Sequence, residues 1–155
     1  MPDQSFTITI ENLKLEKAAI EYMKREHSGY FSVNIKERKH ILDLLELPHS
    51  FSRAFDMVHI PRYEEAEVSE EVIDAHIDEI TLIELKATKK LKPENPKGFF
   101  FGATRNEFKI ARLLGEKYKF CFVCLHPEAM SAKPLSLKSV KELIKTRRVQ
   151  YQINL

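Results

Sequence analysis

Hydrophobic residues recur at helical spacing in the first third of the chain. One apolar stripe predicts a helix over residues 13–26, and a Ser-Gly pair directly after it favours its end there. A second helix is predicted over 35–47, because Asn34 can cap its start and Pro48 stops it. Both helices have the one-sided apolar pattern of elements that pack on a core.

Two more helices are predicted in the second half of the chain. Thr104 and Glu107 form a T-x-x-E capping box, followed by an apolar stripe that ends at Gly115. A last helix is predicted over residues 137–145.

Segments rich in apolar and β-branched residues predict strands between the helices. They cover residues 55–60, 80–87 and 118–125, with a short further strand at 99–101. The 118–125 segment is apolar on nearly both faces, so it should be central in its sheet.

The C-terminal segment alternates between apolar and polar residues. Four apolar side chains, from Val149 to Leu155, share one side, and polar ones share the other. This pattern predicts a half-exposed edge strand. The elements together predict an α/β or α+β fold, with helices flanking a mixed sheet.

Length and composition limit the class of protein. The chain has 155 residues, of which 43% are hydrophobic, which suits one domain over residues 1–155. It has no apolar run long enough to span a bilayer and no signal-peptide start, so we expect a soluble, cytoplasmic protein without membrane contact.

The two cysteines form a C-x-x-C pair inside the 118–125 strand. Residues three apart on a strand point to opposite faces, so Cys121 and Cys124 cannot meet on one metal ion or form a disulfide. We therefore expect buried free thiols.

Charge is unevenly distributed along the chain. Residues 63–79 contain eight acidic side chains and no Lys or Arg, although the whole chain has a formal charge of +2. The remainder has 25 basic against 15 acidic residues, a formal charge of +10. Most of the molecule is thus basic enough to meet a polyanion, while an ordinary protein with one acidic loop is the alternative.

Two charged residues end an otherwise apolar strand. Glu84 and Lys86 share one face of the 80–87 segment, about 7 Å apart by strand rise. Burying two charges costs several kcal/mol each unless they pair or bind an ion. This position therefore indicates either a metal-binding cleft or a structural ion pair.

The E-x-K spacing has little value by itself. It also occurs at Glu37 to Lys39 and at Glu107 to Lys109, both on predicted helices. Only the Glu84 to Lys86 instance ends an apolar strand, and that context carries the inference.

Several consecutive segments resemble the core of the PD-(D/E)xK nuclease superfamily, which includes many type II restriction endonucleases. The resemblance covers residues 55–125, through Asp56 in FDMVHI, then ITLIELKATKK, GFFFGATRNEFKIA and KFCFVCL. It departs at the first acid, where Phe55 replaces the proline of the family motif. It implies a restriction-endonuclease-like sheet and Mg²⁺-dependent cleavage of double-stranded DNA.

The resemblance also implies roles for individual residues. Asp56 and Glu84 would bind the metal, with the carbonyl of Leu85 as a possible third ligand. Lys86 would orient or help deprotonate the attacking water and stabilise developing negative charge. Phosphodiester hydrolysis needs these functions, because the phosphate must be neutralised and a water made nucleophilic near pH 7.

The first metal-binding acid has two candidates. Asp56 begins its own strand, but 28 positions separate it from Glu84, so the acidic stretch must loop out. Asp74 is ten positions before Glu84 and could lie opposite it if a turn centred on Glu79 makes a hairpin. We favour Asp56, since Asp74 lies among many surface-like acids.

Basic and polar side chains near this strand are candidates for DNA contact. A Lys-rich loop follows the E-x-K, and Arg105 and Asn106 begin the next helix, where an anion is favoured. The polar face of the last strand has side chains that can read base edges. A solubilising turn and a wet edge strand are the alternatives. The full set is Lys89, Lys90, Lys92, Lys97, Arg105, Asn106, Arg148, Gln150, Gln152 and Asn154.

The sequence therefore predicts a Mg²⁺-dependent endodeoxyribonuclease of restriction type, with structure-specific or repair cleavage as a variant of the same chemistry. A homodimer is a further expectation, because cutting two strands commonly uses two copies of such a site. The alternatives are a nucleic-acid-binding module on the same fold without catalysis, and an unrelated α/β protein with a structural Glu84 to Lys86 ion pair.

Overall fold

The structure, a computed structural model, describes residues 2–149, 151 and 153–155, with side chains described from residue 11 onward. All four predicted helices are present, and a fifth lies in the acidic segment. None of the helices within the described residues is both long and apolar enough to cross a membrane. The helices are α1 Pro2–Glu26, α2 Ile35–Leu44, α3 Glu70–His76, α4 Arg105–Leu114 and α5 Leu137–Leu143.

Five strands form one mixed sheet in the order β1-β2-β3-β4-β5. β1 to β3 pair antiparallel, β3 and β4 are parallel with α4 in the crossover, and β5 returns antiparallel to β4. This is the predicted mixed sheet flanked by helices, and β4 has partners on both sides as predicted. The strands are β1 Tyr30–Ser32, β2 Met57–His59, β3 Thr81–Thr88, β4 Tyr118–Cys124 and β5 Ser131–Leu135.

The sheet separates two hydrophobic clusters. On one face Ala19 and Met23 of α1 pack with Ile83 of β3 and Cys121 of β4. On the other face a larger cluster joins residues of α2, α3, α4 and α5 to the sheet. Side chains alternate between these faces along β3, so Leu82 belongs to the larger cluster and Ile83 to the smaller one.

The acidic segment is structured rather than a simple loop. Ser69 caps α3 by accepting a hydrogen bond from Val72 N at 3.3 Å, and Ile73 is fully buried in the larger cluster. The hairpin that would have placed Asp74 opposite Glu84 is therefore wrong. One apolar stripe, with acids on the remaining positions, makes this stretch a short amphipathic helix.

Two predicted strands are absent from the described residues. At 99–101 the chain has no strand pairing, because Phe99 and Phe101 turn inward to pack on Phe122. The described residues of 149–155 form no strand, and Val149, Tyr151, Ile153 and Leu155 are exposed. Alternation predicts which side chains share a face, but a strand also requires a neighbouring edge to pair with.

The prediction for the cysteines is confirmed. Cys121 and Cys124 are both free and buried. Burial raises the pKa of the Cys121 thiol to about 12, so it stays protonated.

Candidate active site

Strand β3 holds Glu84 on the face of the larger core cluster. Leu82 and Glu84 alternate with Ile83 and Leu85, which face α1 on the other side of the sheet. Glu84 is only 6% exposed, so its carboxyl group lies at the inner end of the site rather than in bulk water.

Asp56 lies beside Glu84, one residue before β2 begins. Its backbone N donates to Ile83 O at 2.8 Å, and its Oδ2 accepts a hydrogen bond from Leu85 N at 2.8 Å. The backbone bond continues the antiparallel pairing of β2 with β3 to the residue before β2 begins, and the side-chain bond adds a second link to β3. The Asp56 carboxylate is thus fixed to the β3 backbone at the position of Glu84.

Lys86 is clamped between two carboxylates. Its Nζ donates to Glu107 Oε1 at 2.6 Å and to Glu84 Oε2 at 3.2 Å, and the Lys86 side chain is only 11% exposed. Burial lowers the pKa of Lys86, but the charges of Glu84 and Glu107 outweigh that effect and raise it. The ammonium is therefore held charged in a fixed position.

Glu107 reaches this position from the first turn of α4. Thr104 caps that helix by accepting from Glu107 N at 3.1 Å, and its hydroxyl donates to Glu107 Oε2 at 3.0 Å. In a capping box the glutamate side chain would return to the cap backbone, as Glu37 does toward Asn34 in α2. Glu107 instead points its free oxygen at Lys86, which links α4 to β3.

A fourth acid approaches from α1. Glu16 lies three residues before Ala19 and seven before Met23, on the face of the helix that packs on the sheet. Burial and the negative charge of Asp56 raise the pKa of Glu16 to about 7, while Arg38 and Lys86 oppose that shift. The carboxyl groups of Glu16 and Asp56 are thus close enough to compete for a proton.

The site has more acidic side chains than basic ones. Burial and the charge of Asp56 raise the pKa of Glu84 to about 10, with a further contribution from Glu107. Glu84 Oε1 is buried and has no hydrogen-bond partner among the described residues. A buried acceptor without a partner is costly. A cation at this oxygen would both satisfy it and neutralise the surrounding acids.

The described residues form no cluster of three or more His, Cys, Asp or Glu side chains with the spacing of a complete metal site. Asp56 and Glu84 provide two carboxyl groups beside the Leu85 backbone. Mg²⁺ is commonly bound by one or two protein carboxylates, with waters and substrate phosphates completing its coordination shell. The donor chemistry therefore fits Mg²⁺ better than a metal that needs an all-protein ligand set.

The structure brings together three of the predicted residues and separates the fourth. Asp56, Glu84 and Lys86 meet, with the Leu85 backbone between them. Asp74 lies on α3, where its Oδ1 is 2.7 Å from His40 Nε2 and its side chain is 55% exposed. Of the two candidate acids, it is Asp56 whose charge acts on Glu84.

The predicted DNA-contacting residues fall into three groups, of which two lie near the site. Lys89 and Lys90 are exposed at the end of β3, while Lys92 Nζ donates to Gly98 O at 2.8 Å and Lys97 lies 3.8 Å from Glu94. Arg105 and Asn106 begin α4 and line a pocket of about 340 Å³ whose other walls are Ser50, Arg53, Ala54 and Thr104.

The C-terminal candidates are not assembled into a surface by the described residues. Arg148 is exposed in a segment without regular structure, as is Asn154. Gln150 and Gln152 lie outside the described residues. A base-reading face on this segment stays a prediction.

Sequence reasoning missed Glu107 and Glu16 as members of the site. The capping box already explained a glutamate at position 107, so the local pattern gave no sign that its second oxygen contacts Lys86. Glu16 stands between Lys14 and Lys17 in an ordinary polar helix pattern. The available signal was its spacing from Ala19 and Met23, which places it on the buried stripe.

Comparisons of the chain with models of protein families, with curated proteins and with solved structures found no match.

Proposed function

We propose that this protein is a Mg²⁺-dependent endonuclease that hydrolyses phosphodiester bonds of double-stranded DNA, related in fold and site to the PD-(D/E)xK superfamily and to restriction-type enzymes. One observation carries the proposal: Asp56 and Glu84 stand side by side with Lys86, and a buried Glu84 oxygen lacks a partner.

The proposed ligands are Asp56 and Glu84, with the Leu85 carbonyl as a third. A bound Mg²⁺ would neutralise charge on the phosphate and lower the pKa of the attacking water. The bond from Leu85 N holds the Asp56 carboxylate beside Glu84, where both could bind the ion. Glu16 is a further acid within range of Asp56 that can accept a proton, or a hydrogen bond from a metal-bound water.

Lys86 is the proposed catalytic cation. Its ammonium would orient the attacking water and stabilise the negative charge that develops on the phosphate. Glu107 acts through Lys86 rather than on the substrate, because its 2.6 Å contact holds the ammonium at the mouth of the carboxylate pair. The pre-positioned charge is what makes such a group effective, since no reorganisation is needed during the reaction.

The proposal is tested by plasmid nicking with and without Mg²⁺. Glu84→Gln keeps the size of the side chain but removes a metal-binding charge, and Lys86→Ala removes the ammonium. We expect each to lower cleavage at least about 100-fold. Lys119→Ala is the matched control, because it breaks the exposed 2.5 Å Lys119–Glu116 ion pair, between the same residue types.

Two outcomes would contradict the proposal. Cleavage that survives in both site variants would assign the activity to another site. DNA binding without cleavage under Mg²⁺ or Mn²⁺ would instead favour the binding module on the same fold. Gel filtration with and without DNA tests the proposed homodimer separately.

A further inference from the structure

We propose that Phe100 is a base-stacking residue, and that the double-stranded substrate has an unpaired or unstacked base beside the proposed cleavage point. Phe100 is 93% exposed, although it lies in a Phe-Phe-Phe run whose other two members are packed inward. This inference rests on the proposed function, because it takes nucleic acid to be the ligand of this face.

The loop holds Phe100 outward rather than leaving it free. The rings of Phe99 and Phe101 both pack edge-on against Phe122, with centroid distances of 5.1 and 5.0 Å. Two inward neighbours force the residue between them to point away from the sheet. Phe100 is therefore presented to solvent by anchors on both of its sides.

Three hydrogen bonds from two side chains fix the same loop. Asn95 Nδ2 donates to Phe122 O at 2.8 Å and to Ser131 Oγ at 3.0 Å, while Lys92 Nζ donates to Gly98 O at 2.8 Å. A stacking side chain on a pre-formed loop loses little conformational entropy when it binds, which favours affinity.

Phe122, on which Phe99 and Phe101 pack, lies next to the proposed catalytic lysine. Phe122 of β4 is the register partner of Lys86 of β3, and adjacent strands are about 4.8 Å apart. The loop also connects β3, which ends in the site, to α4, which supplies Glu107. A nucleotide whose phosphate meets Lys86 would thus have its neighbours close to this loop.

Charge on the loop favours nucleic acid over an apolar protein partner. Between β3 and α4 the loop has four lysines and one acid, Glu94, and Lys89 and Lys90 are exposed. Lysines hold phosphates without regard to sequence, and an aromatic ring can stack on any base. In an intact duplex the base faces are already stacked, so a base with a free face is the fitting ligand.

The test compares binding of two DNA probes in EDTA, so that no cleavage is needed. One is a blunt duplex, and the other is the same duplex with a single-stranded extension containing 2-aminopurine, whose fluorescence is quenched by stacking. We expect the wild-type chain to prefer the extended probe and to quench it. Phe100→Ala should weaken binding to the extended probe by about 5- to 100-fold and abolish the quenching.

Two substitutions separate stacking from general apolar contact. Phe100→Trp should retain the preference, because it keeps an aromatic face, while Phe100→Leu should behave like Phe100→Ala. Leu113→Ala removes another exposed apolar side chain, at the far end of α4, and should change nothing. The exposure of Phe100 means that none of its variants should alter the melting temperature.

The inference is overturned if Phe100→Leu binds and quenches like the wild type, if Phe100→Ala does so, or if the wild-type chain binds neither probe. Its failure can be told from failure of the nuclease proposal, because Mg²⁺-dependent nicking is measured separately. Quenching that depends on Phe100 in a protein that cleaves nothing would sustain this inference and reject the nuclease.

Discussion

At the residue scale, a buried tyrosine supports the segment that leads to Asp56. Tyr118 Oη donates to Ala54 O at 2.5 Å, inside the larger core cluster. Ala54 is two residues before Asp56, so this bond ties the segment entering the site to β4. The position of Asp56 thus depends on a contact between Ala54 and a residue 64 places later in the sequence.

We predict that Tyr118→Phe lowers the free energy of unfolding by about 1–3 kcal/mol, because the buried Ala54 carbonyl loses its donor. Urea unfolding measures the change. Tyr63→Phe is the control, since Tyr63 Oη donates to Glu67 O at 3.2 Å in an exposed setting and should cost less than about 0.5 kcal/mol. Equal losses in the two variants would contradict the expected role of burial.

Single residues differ in how far the sequence determines their place. Glu84 and Lys86 could be found because a charge inside an apolar strand is costly and needs a reason. Glu107 could not, since a helix cap already accounted for it. The choice between Asp56 and Asp74 required a distance in space, because each had a plausible local arrangement and only the structure shows which strand pairs with β3.

At the scale of elements, α4 contributes both to the stability of the fold and to the position of Lys86. Comparing its helix cap with that of α2 separates the two contributions. Thr104 caps α4 and also donates to Glu107, which holds Lys86. Asn34 caps α2 by accepting from Glu37 N at 2.8 Å, and Glu37 returns to the Asn34 backbone without reaching the site. Both caps therefore stabilise the start of a helix, but only Thr104 is connected to the site, through Glu107.

We predict that Thr104→Ala and Asn34→Ala each cost about 1 kcal/mol of stability, while only Thr104→Ala reduces cleavage. The expected loss is about tenfold in kcat with little change in KM, because Glu107 loses an orienting donor that the substrate does not touch. Thr104→Ser should restore both properties. A tenfold loss in Asn34→Ala as well would mean that stability alone sets the activity.

The elements found from the sequence are those with a long, one-sided pattern. α2 and α4 agree with their predicted positions because caps and apolar stripes coincide there. β1 was missed because it lies in the short connection between two helices, whereas the equally short β2 lies in a longer apolar segment. β5 was missed because it contains Pro134, which is tolerated at this sheet edge. α3 was hidden by its acids, which dominate the composition of a seven-residue helix.

At the scale of the whole molecule, charge is separated between two regions. The acidic residues concentrate in 63–79, around α3, where Glu70 lies 3.9 Å from Lys36 and Asp74 contacts His40. The Lys-rich loop after β3 belongs to the basic remainder of the chain. A polyanion would thus be attracted to the loop and repelled from α3, which orients its approach before any specific contact forms.

This separation predicts a salt dependence that differs between lysines. For duplex DNA each neutralised phosphate contributes about 0.9 to the slope of log affinity against log salt. Lys89→Ala combined with Lys90→Ala should therefore reduce that slope by about 2, measured by fluorescence anisotropy between low and moderate salt. Lys36→Ala, beside the acidic helix, should leave the slope unchanged although it removes the same charge. If all three lysines contributed equally, the attraction would come from net charge alone, and the loop would have no particular place in binding.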